Sequence, residues 1–138
     1  MLVLDTSVAL KWVVGEEGAD AAAELIERAL VAPDLFQAEV GNALAKKVRT
    51  REITLDQARG AYQEIEARVS LLPSPIYGSQ AFAMGLALRH SVYDCYFLAA
   101  AYMQGWPMVT ADRVFAGKVR GSQYAPMLFL LGEEIPDG

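Results

Sequence analysis

Four acidic residues sit where their neighbours give a carboxylate chemical work: Asp5, Glu39, Asp94 and Asp112. Asp5 ends the apolar run Met1-Leu2-Val3-Leu4 and is followed by Thr6 and Ser7; Asp112 follows Trp106-Pro107-Met108-Val109-Thr110 and Ala111. Continuous apolar runs of this length read as strands buried on both faces, the habit of a parallel sheet covered by helices. Carboxylates beyond two such strands can project from one edge of the sheet, where α/β folds bind ligands. Each also has a plainer use, because Asp caps helices. Asp94 lies among Val92, Tyr93, Cys95, Tyr96, Phe97 and Leu98, where an unpartnered charge carries a large desolvation cost. Glu39 is mid-helix, with Asn42 three residues on and on the same side; a lone helical Glu is ordinarily solvated.

Brought together, four carboxylates repel one another and raise their own pKa values unless a cation neutralises them. An all-oxygen set without a Cys/His cluster selects a hard ion, Mg²⁺ or Mn²⁺. The single histidine, His90, precedes Asp94 by four residues and could face it across a turn, but a helix boundary between them favours a structural role.

The elements that must position these acids follow from periodicity and punctuation. Thr6 or Ser7 caps a short helix over Val8 to Val14, ended by Gly15. The segment from Gly18 to Leu30, with Ala22, Leu25, Ile26 and Ala29 at helical spacing, is a second helix. Val31-Ala32-Pro33 is an extended link. Asp34 to Thr50 is a long helix, with Lys46, Lys47, Arg49 and Arg51 near its C-terminal end, where cations suit the helix dipole. Thr54-Leu55-Asp56-Gln57 has the form of a capping box opening a helix to about Ser70. Leu71-Leu72-Pro73 reads as a strand, Ser79 to Arg89 as a helix, and Val92 to Gln104 as a central helix, apolar all round. A strand to Thr110, a helix from Arg113 to Gly117 and a strand around Met127 to Leu131 complete the chain. The fold class is α/β, a three-layer sandwich with a small, mostly parallel sheet flanked by helices.

At 138 residues the chain suits one domain, residues 1–138, and 54% hydrophobic residues supply its core. No secretory or membrane-spanning segment stands out, and the single Cys95 fits a reducing cytoplasm. A formal net charge of −5 argues against simple electrostatic nucleic-acid binding. Any such contact needs a local basic patch or a metal. Lys46, Lys47, Arg49, Arg51, Arg89, Arg113, Lys118 and Arg120 are the available cations. Trp12, Tyr93 and Tyr96 read as packing residues rather than base-stacking platforms.

Asp5-Thr6-Ser7-Val8, Leu10-Lys11-Trp12, Pro33-Asp34-Leu35 with Glu39 and Asn42, Tyr93-Asp94 with Tyr96, and Thr110-Ala111-Asp112 resemble, in order, the motifs of the PIN domain. More narrowly they resemble the VapC-type toxins of prokaryotic toxin–antitoxin pairs. The resemblance implies a metal-dependent endoribonuclease in which Asp5, Glu39, Asp94 and Asp112 hold Mg²⁺ or Mn²⁺. Ser7, Asn42 and Thr110 match polar support positions. It further implies an RNA substrate, a cognate antitoxin that covers the groove and brings a basic side chain to the acids, and a homodimer or toxin–antitoxin hetero-oligomer. A PIN scaffold that binds RNA or protein without cleaving is the alternative, which a full acidic set disfavours. A phosphatase or receiver domain fits poorly: Ser7 stands where a second Asp belongs, and no late lysine follows a strand in the required pattern.

Overall fold

The computed structural model describes residues 1–13, 15 and 17–137. Its five strands, β1 (Leu2–Leu4), β2 (Leu30–Pro33), β3 (Val69–Leu72), β4 (Met108–Thr110) and β5 (Leu128–Leu130), form one sheet in the order β3-β2-β1-β4-β5. Every neighbouring pair is parallel. Seven α-helices among the described residues accompany it: α1 (Thr6–Ala9), α2 (Ala19–Ala23), α3 (Leu35–Arg49), α4 (Leu55–Arg68), α5 (Gly78–Leu88), α6 (Val92–Gln104) and α7 (Arg113–Arg120). Successive strand residues point to opposite faces. Because every residue of β1, β2 and β4 is buried, both faces of the central sheet are covered. The α/β class expected from the sequence therefore holds, with the sheet wholly rather than mostly parallel.

Helix α6 packs on β1, β2 and β4, burying Cys95 and the run Phe97 to Ala101, with α5 laid along it. Helices α3 and α4 form the expected hairpin. The capping box is present: Thr54 Oγ1 accepts from Gln57 N–H at 3.1 Å, and Gln57 Oε1 accepts from Thr54 N–H at 2.8 Å.

Three local expectations are corrected. The helix after β1 starts at Thr6, with Asp5 in the extended conformation before it, and passes into a 3₁₀ turn over Leu10–Trp12. Neither Thr6 nor Ser7 caps it, because both hydroxyls serve acidic side chains; Val14, placed at its end by the sequence, lies outside the described residues. The helix expected to run to Leu30 stops at Ala23 and gives way to turns, because Leu30 is taken into the sheet opposite Leu2 and Val69. The segment read as a link is strand β2, between β1 and β3. Pro33 is tolerated because it is the last strand residue, and the next amide, Asp34 N–H, bonds Leu72 O at 2.8 Å.

Candidate functional site

Strand order places the site. From β1 the chain goes to β2 and β3 on one side, then crosses to β4 and β5 on the other, so connections diverge between β1 and β4. The crevice beyond the carboxyl ends of the strands at such a divergence is where α/β sheets bind ligands. Asp5 and Thr110 stand there side by side, fixed by the pairing of Leu4 with Val109 and by Asp5 N–H to Val109 O at 3.1 Å. Asp112 lies two residues beyond β4. Helix α3 leaves the carboxyl end of β2 and carries Glu39 in its second turn. Helix α6 returns toward the amino end of β4, so it begins at the carboxyl edge and presents Asp94 in its first turn. Both helices point their N-termini, the positive ends of their dipoles, toward this edge.

A polar lattice ties β1 to β4. Asp5 is buried, with 7% of its surface exposed, and Thr110 is wholly buried. Asp5 Oδ2 accepts from Ser7 Oγ and from Thr110 Oγ1, the latter at 3.0 Å. Ser7 Oγ accepts from Ala111 N–H at 3.0 Å, and Thr110 Oγ1 from Asp112 N–H at 3.1 Å, so each hydroxyl has its proton free for the carboxylate. Thr6 Oγ1 donates to Glu39 Oε1 at 2.7 Å. Asp112 also serves as the cap of α7, its Oδ1 accepting from Phe115 N–H at 3.0 Å. The capping reading and the site reading of Asp112 are therefore compatible.

Electrostatics couple Asp5 and Glu39 to each other and to Asp94. Burial raises the pKa of Asp5 above the carboxylate range; its bonds from Ser7 and Thr110 pull it down, and the charge of Asp94 pushes it up. Burial lifts Glu39 to about 7, opposed by the bond from Thr6 and reinforced by Asp5 and Asp94. Oxygen atoms of Asp94 and Asp112 lie with a ring nitrogen of His90 within 4.8 Å of one another. Asp94 thus lies beside Asp112 and acts through its charge on Asp5 and Glu39. Asn42, one turn beyond Glu39, is exposed on α3.

Hard-cation chemistry fits this donor set. All four acids offer oxygen donors, and burial with the charge of neighbouring acids leaves Asp5 and Glu39 in want of positive charge. Cys95 does not compete as a ligand, because burial and Asp94 push its thiol up to about 11, keeping it protonated. One contact escapes the sequence reading, and a second, weighed there and set behind a structural role for His90, is made. The bond from Thr6 to Glu39 spans 33 residues. His90 Nε2 is 2.6 Å from Asp94 Oδ2, with Lys118 on its other nitrogen. The spacing of four between His90 and Asp94 was the available signal. His90 lies just past the end of α5 and α6 begins between it and Asp94, yet the turn keeps the two side chains in contact.

Several solved structures share the fold. A toxin–antitoxin complex from Klebsiella pneumoniae matches with a TM-score of 0.70 at 15% identity, over 97% of this chain and 100% of that one. PAE2754 from Pyrobaculum aerophilum matches with a TM-score of 0.69 at 21% identity, over 88% of this chain and 81% of that one. VapBC2 from Rickettsia felis, bound to a DNA fragment from its promoter, gives 0.66 at 11% identity, over 94% and 97%. The comparison with curated proteins finds no match. The family model of the PIN domain matches residues 2–120, a span that contains all four acids and strands β1 to β4. This chain belongs to the PIN-domain family.

Proposed function

We propose that this protein is a divalent-metal-dependent endoribonuclease, the VapC-type toxin of a toxin–antitoxin pair, with Asp5, Glu39, Asp94 and Asp112 holding Mg²⁺ or Mn²⁺. The observation that carries the reading is the placing of acids at the carboxyl edge of the sheet, with Asp5 beyond β1 bonded to Thr110 of β4, Glu39 held by Thr6, and Asp94 beside Asp112. A bound divalent ion supplies the charge that lowers the pKa of water and offsets negative charge on a scissile phosphate. Ser7 and Thr110 hold Asp5 in one orientation, and Thr6 does the same for Glu39. Asn42 is assigned polar support by its place one turn beyond Glu39. The exposed Arg113, next to Asp112, supplies a phosphate contact despite the acidic net charge.

Two of the similar structures are a toxin–antitoxin complex and VapBC2, which supports an antitoxin partner here. An open, mostly apolar groove of about 550 Å³ between α3 and α4, lined by Leu44, Val48, Leu55 and Tyr62 and flanked by Arg49 and Arg59, suits an apolar antitoxin segment. A basic side chain on that partner would meet the acids and replace the metal's charge. A homodimer or toxin–antitoxin hetero-oligomer in the cytoplasm completes the reading. No described helix is long and apolar enough to cross a membrane.

The test is incubation of purified, antitoxin-free protein with end-labelled RNA. Internal cleavage is expected in millimolar Mg²⁺ or Mn²⁺ and not in EDTA. Cleavage unchanged by EDTA would overturn the metal assignment. RNA left intact in both ions would leave the non-cleaving scaffold.

A further inference from the structure

His90 is not one of the acids, but the structure builds a turn around it. Helix α5 ends with Arg89 in the left-handed conformation at φ 52°, a costly choice for a side chain with a Cβ. His90 N–H bonds Gly85 O at 3.1 Å. Gly85 admits that approach because a Cβ there would meet Val92 Cγ2 at 2.8 Å and His90 O at 3.2 Å. From α7, Lys118 Nζ reaches back to Arg89 O at 2.9 Å and His90 Nδ1 at 3.1 Å. The imidazole stacks at a tilt on Phe115, ring centroids 4.6 Å apart, and is 11% exposed. Its Nε2 lies 2.6 Å from Asp94 Oδ2.

These contacts determine the tautomer. An ammonium has donors only, so Nδ1 must accept from Lys118, and the ring proton resides on Nε2. Nε2–H then donates to Asp94 Oδ2. A protonated nitrogen cannot ligate a cation, so His90 serves the carboxylate rather than the ion despite its proximity to Asp94 and Asp112. We propose that His90, with its tautomer set by Lys118, is a positioning residue that fixes the Asp94 carboxylate so that its other oxygen faces the cation. This role rests on the metal reading above. Removing an outer partner of a ligating group typically weakens metal binding about 10–100-fold.

The protein has one histidine, so its imidazole ¹⁵N spectrum contains one residue. The experiment pairs that spectrum, recorded with Mg²⁺, with Mn²⁺ binding followed by electron paramagnetic resonance. Expected are a protonated Nε2 with an unprotonated Nδ1, and Mn²⁺ affinity about 10-fold or more weaker in His90→Phe, which keeps the ring on Phe115. His90→Gln, which restores a donor near the Nε2 position, should recover most of the affinity. Thermal unfolding in EDTA, expected to be similar in all three proteins, separates positioning from loss of fold. An unprotonated Nε2, unchanged affinity in His90→Phe, or no rescue by Gln would overturn the proposal. Failure of the wild type to bind Mn²⁺ would refute the metal reading and this role with it, while the spectrum would still report the bond to Asp94.

Discussion

Asp5→Asn is expected to lower RNA cleavage by roughly 1,000-fold, the upper part of the range for removing a group that stabilises transition-state charge, while leaving the fold intact. The replacement keeps the shape of the side chain and one acceptor for Ser7 and Thr110, removes the charge and turns the other oxygen into an NH₂ donor. That charge is costly in the protein without a cation, since burial and Asp94 both oppose it. The variant should therefore unfold in EDTA at neutral pH no more easily than the wild type. Stability held or raised together with lost activity separates a functional charge from a structural one. Single-turnover cleavage and chemical denaturation of the two proteins, side by side, check it; a variant as active as the wild type would remove Asp5 from the site.

The second expectation concerns Glu39 and pH. Its pKa is raised from 4.5 to about 7 in the folded protein, by burial first and then by Asp5 and Asp94, against the bond from Thr6. Between those values the folded state holds more protons than the unfolded state, so the contribution of Glu39 to stability falls as pH rises through that window. Below pH 4.5 the group is protonated in both states and carries no such cost. Glu39→Gln, neutral throughout, lacks this loss. In EDTA the variant should gain on the wild type from pH 4.5 to pH 7, by on the order of 2 kcal/mol after allowance for solvent screening. Saturating Mg²⁺ or Mn²⁺ should favour the wild type instead, because a cation stabilises the ionised carboxylate. Urea denaturation across that pH range, with and without the ion, reads both signs. A constant difference between the proteins would show that Glu39 feels neither burial nor its acidic neighbours.

Much of the fold was legible in local chemistry. The apolar run of β1, the capping box of α4 and the all-round apolar α6 each declared themselves, because a short run, a fixed spacing or a missing polar face has one economical explanation. Strand β2 did not, because Pro33 suggests a link unless the neighbouring strand and the amide of Asp34 are known. The overlong second helix has the same origin: helical spacing continues to Leu30, but pairing with Leu2 and Val69 outweighs local propensity.

For the site, the residue types were readable and the contacts that position them were not. Asp5 and Thr110 are 105 residues apart in sequence, and the bond between them requires the β1–β4 register. Thr6 and Ser7 looked like caps because their hydroxyls beside a helix start most often serve that purpose; here Glu39 on α3 claims the first and the neighbouring Asp5 the second. Lys118, 28 residues from His90, gives no local sign that it sets the state of that ring.

The central claim is that Asp5, Glu39, Asp94 and Asp112 form one cation site at the divergence of the sheet. A crystal of the protein soaked in Mn²⁺, with data collected at the manganese absorption edge, tests it most directly. The account predicts an anomalous peak beyond the carboxyl ends of β1 and β4, bonded to oxygen atoms of Asp5 and Asp94 and reached by Asp112 or Glu39 directly or through water. Manganese bound elsewhere, with this crevice holding only water at a concentration that supports cleavage, would contradict it.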